Sequence, residues 1–149
     1  METLGTVETI LGHKGRNVWF VSPDTTVFDA IQRLADCNIG ALPVMEGDRL
    51  AGIITERDYT RKVALKGKNS RQTMVREILS ENVVTVQPST SIEECMSLMT
   101  GKRIRHLPVV EGDEVKGIIS IGDLVSHVIQ VQKATISHLQ SYIAGEYPG

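Results

Sequence analysis

The chain has 149 residues, of which 41% are hydrophobic, with two cysteines and a formal net charge of −2, as expected for one globular domain or two closely packed halves. No apolar run approaches the roughly 20 residues of a membrane-spanning helix, and the N-terminal segment lacks the basic start and apolar core of a signal peptide. We therefore expect no membrane partner and a cytoplasmic protein with reduced cysteines.

In chain order, the hydrophobic pattern predicts a strand, an amphipathic helix, two strands joined by a glycine-containing turn, and a final helix. In the first half of the chain these elements occupy residues 18–21, 27–34, 41–45 and 50–54, and the final helix begins near Glu56. The second half repeats this order at residues 83–86, 92–99, 106–110 and 115–119, with a final helix from about Ile121. Thr26 and Ser91 are expected helix N-caps. The predicted fold class is α+β, built from two β-α-β-β-α repeats.

The two halves are copies of one unit. Residues 18–63 align without a gap with residues 83–128, at a constant offset of 65 residues. Asp58 meets Asp123, and the Leu-Pro-Val and Gly-Ile-Ile segments coincide. Such a duplication predicts two modules related by a pseudo-two-fold axis, with two similar clefts. We divide the chain into a lead-in (1–16), a first repeat (17–66), a linker with a short helix (67–81), a second repeat (82–128) and a helical tail (129–149).

Short apolar patterns flank the repeats. Val75, Ile78 and Leu79 predict a short helix before the second repeat, and residues 7–11 predict its counterpart before the first. The tail continues helically beyond Val128, and an exposed apolar stripe there must be covered. The tail either folds back on its own module or packs against a second copy, and we expect the second arrangement, a homodimer. The members of this stripe are Val131, Leu139, Tyr142 and Ile143.

Thr55-x-x-Asp58 and Ser120-x-x-Asp123 place a hydroxyl and a carboxylate three residues apart, directly after a predicted strand. One interpretation is a capping box, in which each side chain accepts a hydrogen bond from the other residue's backbone. The other is a nucleotide contact, because a helix N-terminus suits a phosphate and a carboxylate can accept hydrogen bonds from ribose hydroxyls. The two interpretations do not exclude each other.

The two predicted clefts differ in charge just before the Leu-Pro-Val strand. The second repeat has Arg103, Arg105 and His106 where the first has Asn38, Gly40 and Ala41. The basic side chains form either a solvated turn or a phosphate clamp, because a guanidinium offers a forked set of donors. His106 is alternatively a buried structural histidine. A basic segment at residues 57–76 is either a solvated surface or a rim for a diphosphate. A nucleic-acid partner is not expected, since the overall charge is slightly acidic and no aromatic residues are interleaved.

The sequence carries no motif for chemistry. It contains no phosphate loop, no dinucleotide-binding glycine fingerprint and no nucleophile elbow. The four histidines show no metal-ligand spacing. We therefore predict no catalytic residue, no bound metal and no catalytic cofactor.

The duplicated Leu-Pro-Val strand, followed by Gly-Ile-Ile-Thr-x-x-Asp or Gly-Ile-Ile-Ser-x-x-Asp, resembles the cystathionine-β-synthase (CBS) domain family. The tandem arrangement resembles the Bateman module of that family, and it covers nearly the whole chain. The segments Gly-Ile-Ile-Thr-Glu-Arg-Asp-Tyr at 52–59 and Lys-Arg-Ile-Arg-His-Leu-Pro-Val at 102–109 are similar to those of its small stand-alone members. The resemblance implies adenine nucleotides or related adenosyl ligands in the clefts between the repeats. AMP and NAD(H) are the favoured ligands, with ATP, ADP or an S-adenosyl compound as alternatives.

Carried over residue by residue, the resemblance implies the members of each cleft. One cleft is expected to combine Thr55, Arg57, Asp58, Asn82, Val83, Arg105 and His106. The other is expected to combine Asn17, Val18, Ile39, Gly40, Ala41, Ser120 and Asp123. Further expected contacts are Pro43, Pro108 and Ile119. The first cleft has more cationic donors, so it is expected to prefer the more anionic phosphate group.

The function predicted from the sequence is a regulatory, adenine-nucleotide-binding module that signals to an unidentified protein partner. One alternative is an enzyme acting on a nucleotide or redox cofactor, although no acid–base pair supports it. The other is a purely structural oligomer, which would show no ligand-dependent change in melting temperature.

Overall fold

The computed structural model describes residues 4–15 and 18–143, with side chains to residue 141. The predicted site residue Asn17 lies outside the described residues, as do the side chains of Tyr142 and Ile143. The helices are α1 (Val7–Lys14), α2 (Val27–Cys37), α3 (Glu56–Tyr59), α4 (Ile92–Lys102) and α5 (Ile121–Ile143). A π-helical segment (Thr60–Ala64) continues α3, and a single 3-10 turn occupies Val75–Glu77. The strands are β1 (Ala41–Glu46), β2 (Arg49–Thr55), β3 (His106–Glu111) and β4 (Glu114–Ser120).

Each repeat contains one antiparallel hairpin, formed by β1 with β2 and by β3 with β4. Their registers are equivalent, because Ala41 pairs with Thr55 in the first hairpin and His106 pairs with Ser120 in the second. Both ladders shift register at the same relative position. The glycine in each turn has a φ of 62°, in the left-handed region that glycine adopts without a Cβ clash. The α+β fold with two equivalent repeats is confirmed.

The strand predicted at residues 18–21 is wrong in extent, because it is reduced to one parallel bridge between Val21 and Val44. The Val21 N–H donates to the carbonyl of Pro43 at 3.1 Å. Extending this ladder toward residue 19 would require an N–H on Pro43, which proline lacks. Pro108 has the same effect in the second repeat, so the first element of each unit is an extended segment with a single bridge.

The predicted N-caps are confirmed. Thr26 Oγ1 accepts from the Asp29 N–H at 3.2 Å, and Ser91 Oγ accepts from the Glu94 N–H at 3.1 Å. The first long helix of each repeat therefore begins at the same relative position.

Each repeat has its own hydrophobic core, and each core is completed by the segment that precedes the other repeat. Val75 and Ile78, from the linker, are buried in the core of the first repeat. Val7, Ile10 and Leu11, from the lead-in, are buried in the core of the second. The short helices predicted before the repeats therefore exist, and they join the two modules by this exchange.

The two exchanged segments dock equivalently but differ in length. The Val75 N–H donates to the Thr25 carbonyl at 2.8 Å, and the Val7 N–H donates to the Thr90 carbonyl at 2.9 Å. The chain has three more residues between the docked Val7 and the start of the first repeat than between the docked Val75 and the start of the second repeat. The longer connection allows α1 to continue to Lys14, which becomes important at the candidate site.

Helix α5 continues from the second repeat into the predicted tail. Leu124 is fully buried, and Val128 packs against the second core. Beyond this point three large apolar side chains are open to solvent, with Ile129 45%, Ile136 54% and Leu139 58% exposed, whereas Val131 of the predicted stripe is half-buried. The described part of the tail does not fold back on its own module, so Ile136 and Leu139 are uncovered in the single chain.

Candidate functional site

A cavity of about 440 Å³ lies between the two repeats, and we call it the inter-repeat cavity. Both repeats and α1 contribute to its wall. The lining residues are Lys14, Val18, Trp19, Asn38, Ile39, Gly40, Ala41, Pro43, Glu56, Arg105, His106, Gly117, Ile118, Ser120, Ile121, Gly122 and Asp123.

Ser120 and Asp123 form one polar end of the inter-repeat cavity. The Ser120 N–H donates to Asp123 Oδ2 at 2.8 Å, and the Asp123 N–H donates to Ser120 Oγ at 3.1 Å, which confirms the capping box. Lys14 Nζ donates to the same carboxylate oxygen and to the Ile118 carbonyl, both at 2.7 Å. The Asp123 side chain remains 24% exposed, so a ligand can reach this carboxylate if Lys14 moves.

Small residues keep the inter-repeat cavity open. A Cβ on Gly40 would lie 3.0 Å from His106 Nε2 and 3.3 Å from Glu56 Oε1. Gly117 and Gly122 line the same space. A glycine leaves room for a ligand to approach the backbone, which a larger side chain would prevent.

His106 is half-buried in the wall of this cavity. Its pKa is lowered, mainly by burial and next by the positive charge of Lys14. The negative charge of Asp123 raises the pKa in part, and the positive charge of Arg105 lowers it by a smaller amount. The ring is therefore neutral at neutral pH. The charges of Lys14 and Arg105 are then balanced by the carboxylates of Glu56 and Asp123.

An apolar surface forms another part of the wall. Val18, Trp19, Ile39 and Pro43 contribute to it. Trp19 is the single tryptophan of the chain and is 47% exposed. Exposed aromatic and aliphatic surface beside a few polar groups is typical of a site for a flat organic ring.

The equivalent carboxylate in the first repeat is occupied by protein groups. Asp58 is 8% exposed, and its Oδ2 accepts from Thr55 N–H at 3.0 Å and Thr55 Oγ1 at 3.1 Å. Its Oδ1 receives Lys62 Nζ at 3.1 Å and Ser80 Oγ at 3.3 Å. A Cβ on Gly52 would lie 2.5 Å from the Ser80 carbonyl oxygen. The linker therefore closes the position that is open around Asp123.

A second cavity, of about 390 Å³, is lined by three arginines, and we call it the arginine cavity. Arg57, Arg103 and Arg105 supply its charge, and Arg105 and Ile121 line both cavities. Within residues 4–15 and 18–143, none of the three guanidinium groups forms a salt bridge with a carboxylate. The remaining lining residues are Met99, Thr100 and Ile104.

The structure brings together most of one predicted cleft and divides the other. Six predicted residues of one cleft line the inter-repeat cavity, namely Val18, Ile39, Gly40, Ala41, Ser120 and Asp123, and so does Pro43, one of the further expected contacts. From the other, Arg57 and Arg105 share the arginine cavity, whereas His106 lies in the inter-repeat cavity. Thr55, Asp58, Asn82, Val83, Pro108 and Ile119 line neither cavity, and the Ile119 side chain is fully buried in the core.

Sequence reasoning missed Lys14, Trp19 and Glu56, which all line the inter-repeat cavity. The extra length between the lead-in pattern and the first repeat was a signal for Lys14. Trp19 was visible as an aromatic residue where the second repeat has Val84. The involvement of Glu56 depends on how the repeats pack, so the sequence alone carries no signal for it.

No helix in the described part of the chain is both long and apolar enough to cross a membrane. Among the same residues, no group of three or more His, Cys, Asp or Glu side chains is placed to hold a metal ion.

Comparisons with known proteins match this arrangement. The CBS domain family model matches residues 14–65 and again residues 75–130. The chain is 39% identical over 151 residues to the CBS domain-containing protein CBSX3, mitochondrial, of Arabidopsis thaliana, covering 95% of this chain and 73% of the relative. Because that name places the relative in mitochondria, the cytoplasmic setting expected here stays a prediction.

Solved structures share the fold. A protein from Burkholderia ambifaria described as a signal-transduction protein with CBS domains is 50% identical, with a TM-score of 0.80 over 84% of this chain and 94% of the other. A hexameric CBS-CP12 protein from bloom-forming cyanobacteria is 30% identical, with a TM-score of 0.73 over 80% of this chain and 70% of the other.

Proposed function

The chain belongs to the CBS domain family, as a tandem pair, and we propose that it is a regulatory module that binds an adenine nucleotide and signals to a protein partner. A relative described as a signal-transduction protein supports the regulatory part of the proposal. The favoured ligands are AMP and NAD(H), and the alternatives are ATP, ADP and an S-adenosyl compound. The module acts by binding, without catalysing a reaction.

The composition of the inter-repeat cavity carries this proposal. One end has the Asp123 carboxylate, which can accept hydrogen bonds from the ribose diol. The apolar wall, with Trp19 and Ile39, suits one face of the base. Arg105, which also lines the cavity, can donate to a phosphate. These three groups match the three chemical parts of a nucleotide.

Lys14 makes this binding competitive. Its ammonium occupies Asp123 Oδ2 in the free protein, so the ribose hydroxyls must replace one strong contact with another. A nucleotide therefore gains less from Asp123 than the open carboxylate alone would provide. Thr55 and Asp58 stay predicted nucleotide contacts only for a ligand that displaces Lys62 and Ser80.

The position of the cavity suggests how binding is signalled. Its wall combines residues 38–41 of the first repeat, residues 117–123 of the second, and Lys14 from α1. A ligand that contacts all three segments favours one relative packing of the repeats, and a partner that prefers this packing binds more tightly. The coupling is reciprocal, so the partner also raises the affinity for the ligand.

A homodimer is the proposed assembly. Five apolar side chains of α5 are 40% to 58% exposed in the single chain and follow helical spacing. A two-fold contact would bury the same stripe twice. These side chains are Ile121, Val125, Ile129, Ile136 and Leu139.

Isothermal titration calorimetry with AMP and NADH tests the proposed function. Asp123→Ala should weaken binding by about 2- to 30-fold, because a charge-assisted hydrogen bond contributes about 1.5–3 kcal/mol and displacement of Lys14 offsets about 1 kcal/mol of it. The matched control is Asp113→Ala, an exposed aspartate in the turn between β3 and β4, which should bind as the wild type does. Unchanged affinity in Asp123→Ala would refute the site, and conversion of AMP, ATP or NADH in the same samples would refute the non-catalytic role.

A further inference from the structure

We propose that α5 pairs with α5 of a second copy of the chain as a parallel, in-register, two-stranded coiled coil. This inference rests on the homodimer of the proposed function, and it adds the residues, the orientation and the register of the contact. The pairing places the two second repeats side by side, at the same end of the paired helices.

The exposed side chains of α5 follow the alternating spacing of a coiled coil. Ile129 comes four residues after Val125, and Gln132 comes three residues after Ile129. Ile136 and Leu139 continue the series with steps of four and three, and all five side chains are exposed in the single chain. At 3.6 residues per turn they lie within an arc of about 80°. A repeat of 3.5 residues keeps the same faces of two helices in contact along their length, and we call these five residues the α5 seam.

The α5 seam is separate from the face by which α5 packs on its own module. Leu124 is fully buried in the second core, and Val128 packs against that core. These two side chains point about 60–100° away from the middle of the seam. Their packing anchors the first turns of α5, so the helix is already nucleated, whereas an isolated helix of this length is marginal in water. The seam can therefore pair without the loss of a contact to its own module.

The residue types of the α5 seam favour two parallel helices. Ile129 and Ile136 occupy position a of the heptad, and Leu139 occupies position d. Isoleucine at position a with leucine at position d favours a parallel pair of helices. In this arrangement each layer meets its own copy, so isoleucine packs on isoleucine and leucine packs on leucine.

Gln132 decides between the parallel and the antiparallel orientation. It occupies position d in the middle of the seam. In a parallel pair it meets Gln132 of the second copy, and each amide can donate to the carbonyl oxygen of the other. In an antiparallel pair each position d faces a position a, so its amide would be buried against Ile129 or Ile136 without a hydrogen-bond partner. One polar residue in a coiled-coil core specifies the register in this way.

Charge pairs do not compete with this choice. Residues 124–143 contain one lysine, Lys133, and no aspartate, glutamate or arginine. The salt bridges between neighbouring helices that select the partner in many coiled coils are therefore not formed by this segment. The apolar layers and Gln132 alone determine how the two helices pair.

Sedimentation of the full chain at micromolar concentration tests the α5 seam. Ile136→Lys should weaken the dimer by about 30-fold or more, the effect of losing a central interface side chain. Ala134→Lys is the matched control, because it adds the same charge on the opposite side of the same helix turn and should leave the dimer unchanged. Both residues are exposed in the single chain, so neither substitution disturbs the core. Both variants should bind AMP as the wild type does, since neither residue lines the inter-repeat cavity.

Disulfide cross-linking tests the orientation. Leu139→Cys is made together with Cys37→Ser, because Cys95 is buried and Cys37 is the more accessible native thiol. In a parallel pair the two new cysteines face each other, and mild oxidation should give a covalent dimer on a non-reducing gel. Ser137→Cys, on the outer face of the same turn, is the control and should stay uncrosslinked. In the antiparallel register of longest overlap, Leu139 faces Ile129 instead. In the parallel pair these two positions are about 15 Å apart along the axis, too far for a disulfide.

The outcomes separate this inference from the proposed function. A covalent dimer of Leu139→Cys with a weakened dimer in Ile136→Lys supports the parallel coiled coil. A disulfide between Leu139→Cys and Ile129→Cys, formed only on mixing the two variants, would overturn the parallel orientation. An Ile136→Lys variant that dimerises as the wild type does would overturn the seam while leaving a homodimer through the repeat helices. A wild-type chain that is monomeric and binds AMP would overturn both the seam and the homodimer while leaving the nucleotide site intact.

Discussion

Lys14→Met tests whether the lysine on α1 competes with a ligand for Asp123. The substitution keeps an unbranched side chain of similar length and removes the ammonium group. In the structure this group makes two hydrogen bonds of 2.7 Å, to Asp123 Oδ2 and to the Ile118 carbonyl. The variant should therefore be less stable in the free state and should bind a nucleoside more tightly.

The expected magnitude follows from the exposure of the pair. Hydrogen bonds to charged groups contribute about 1.5–3 kcal/mol when well buried, whereas exposed ion pairs contribute about 0–1 kcal/mol. The Lys14 and Asp123 side chains are 35% and 24% exposed, which places the pair near the boundary, at about 1 kcal/mol. This loss corresponds to a decrease in Tm of about 2–4 °C for a chain of this size. In the variant a ligand does not have to break this pair, so its affinity should be higher by the same free energy, which corresponds to about fivefold.

Adenosine is the appropriate ligand for this assay, because it has no phosphate whose attraction to Lys14 would complicate the result. Calorimetry should show tighter adenosine binding to Lys14→Met, and urea unfolding should show the lower stability. Lys116→Met is the control, since Lys116 lies on β4 and pairs with Glu111 and Glu114 instead. Adenosine affinity that stays equal or falls in Lys14→Met would refute the competition.

Three other predictions concern chemistry, pH and assembly. Burial raises the pKa of Cys95 to about 11, so iodoacetamide at about pH 8 should label Cys37 and spare Cys95 in the folded protein; equal labelling rates would contradict this. Burial lowers the pKa of His106 from its usual value of 6.5, so the His106 ring binds a proton more readily in the unfolded state than in the folded state. The free energy of unfolding should therefore fall as the pH drops below 6.5. Urea unfolding at neutral and mildly acidic pH should show a smaller fall in His106→Gln, and equal falls would argue against the buried neutral ring. Deleting the residues after Gln130 removes Ile136 and Leu139, two of the five exposed apolar side chains of α5, and should shift the protein toward monomer in ultracentrifugation at micromolar concentration. A truncated protein that remains a full-strength dimer would place the interface on the repeat helices.

Much of the fold could be predicted because the duplication constrains it twice. The constant offset predicted both hairpins, and the structure has them in equivalent registers. The first strand of each unit was overestimated, because β-branched residues at 18–21 indicate a strand whereas ladder formation depends on the partner. The partner segment contains Pro43, which cannot donate the next hydrogen bond.

The candidate site was only partly predictable. The equivalence of Asp58 and Asp123 suggested that both carboxylates contact a ligand, in two similar clefts that differ in charge. The environments of the two carboxylates, however, depend on segments outside the repeats. Ser80 from the linker closes one carboxylate, and Lys14 from the extended α1 reaches the other. A difference of three residues in connection length therefore gives two carboxylates of the same motif different neighbours. This difference could not be predicted from the sequence, because it depends on how both segments dock in three dimensions.

Two-dimensional ¹H–¹⁵N NMR during a titration with AMP tests whether the inter-repeat cavity is the nucleotide site, because it reports where the ligand binds. We expect saturable shifts of the backbone amides of Gly40, Ala41 and Gly122, which line the inter-repeat cavity, and little change at Gly52 and Ser80 in the closed cleft. Shifts centred on Gly52 and Ser80, or no saturable shift at any of these amides, would contradict it.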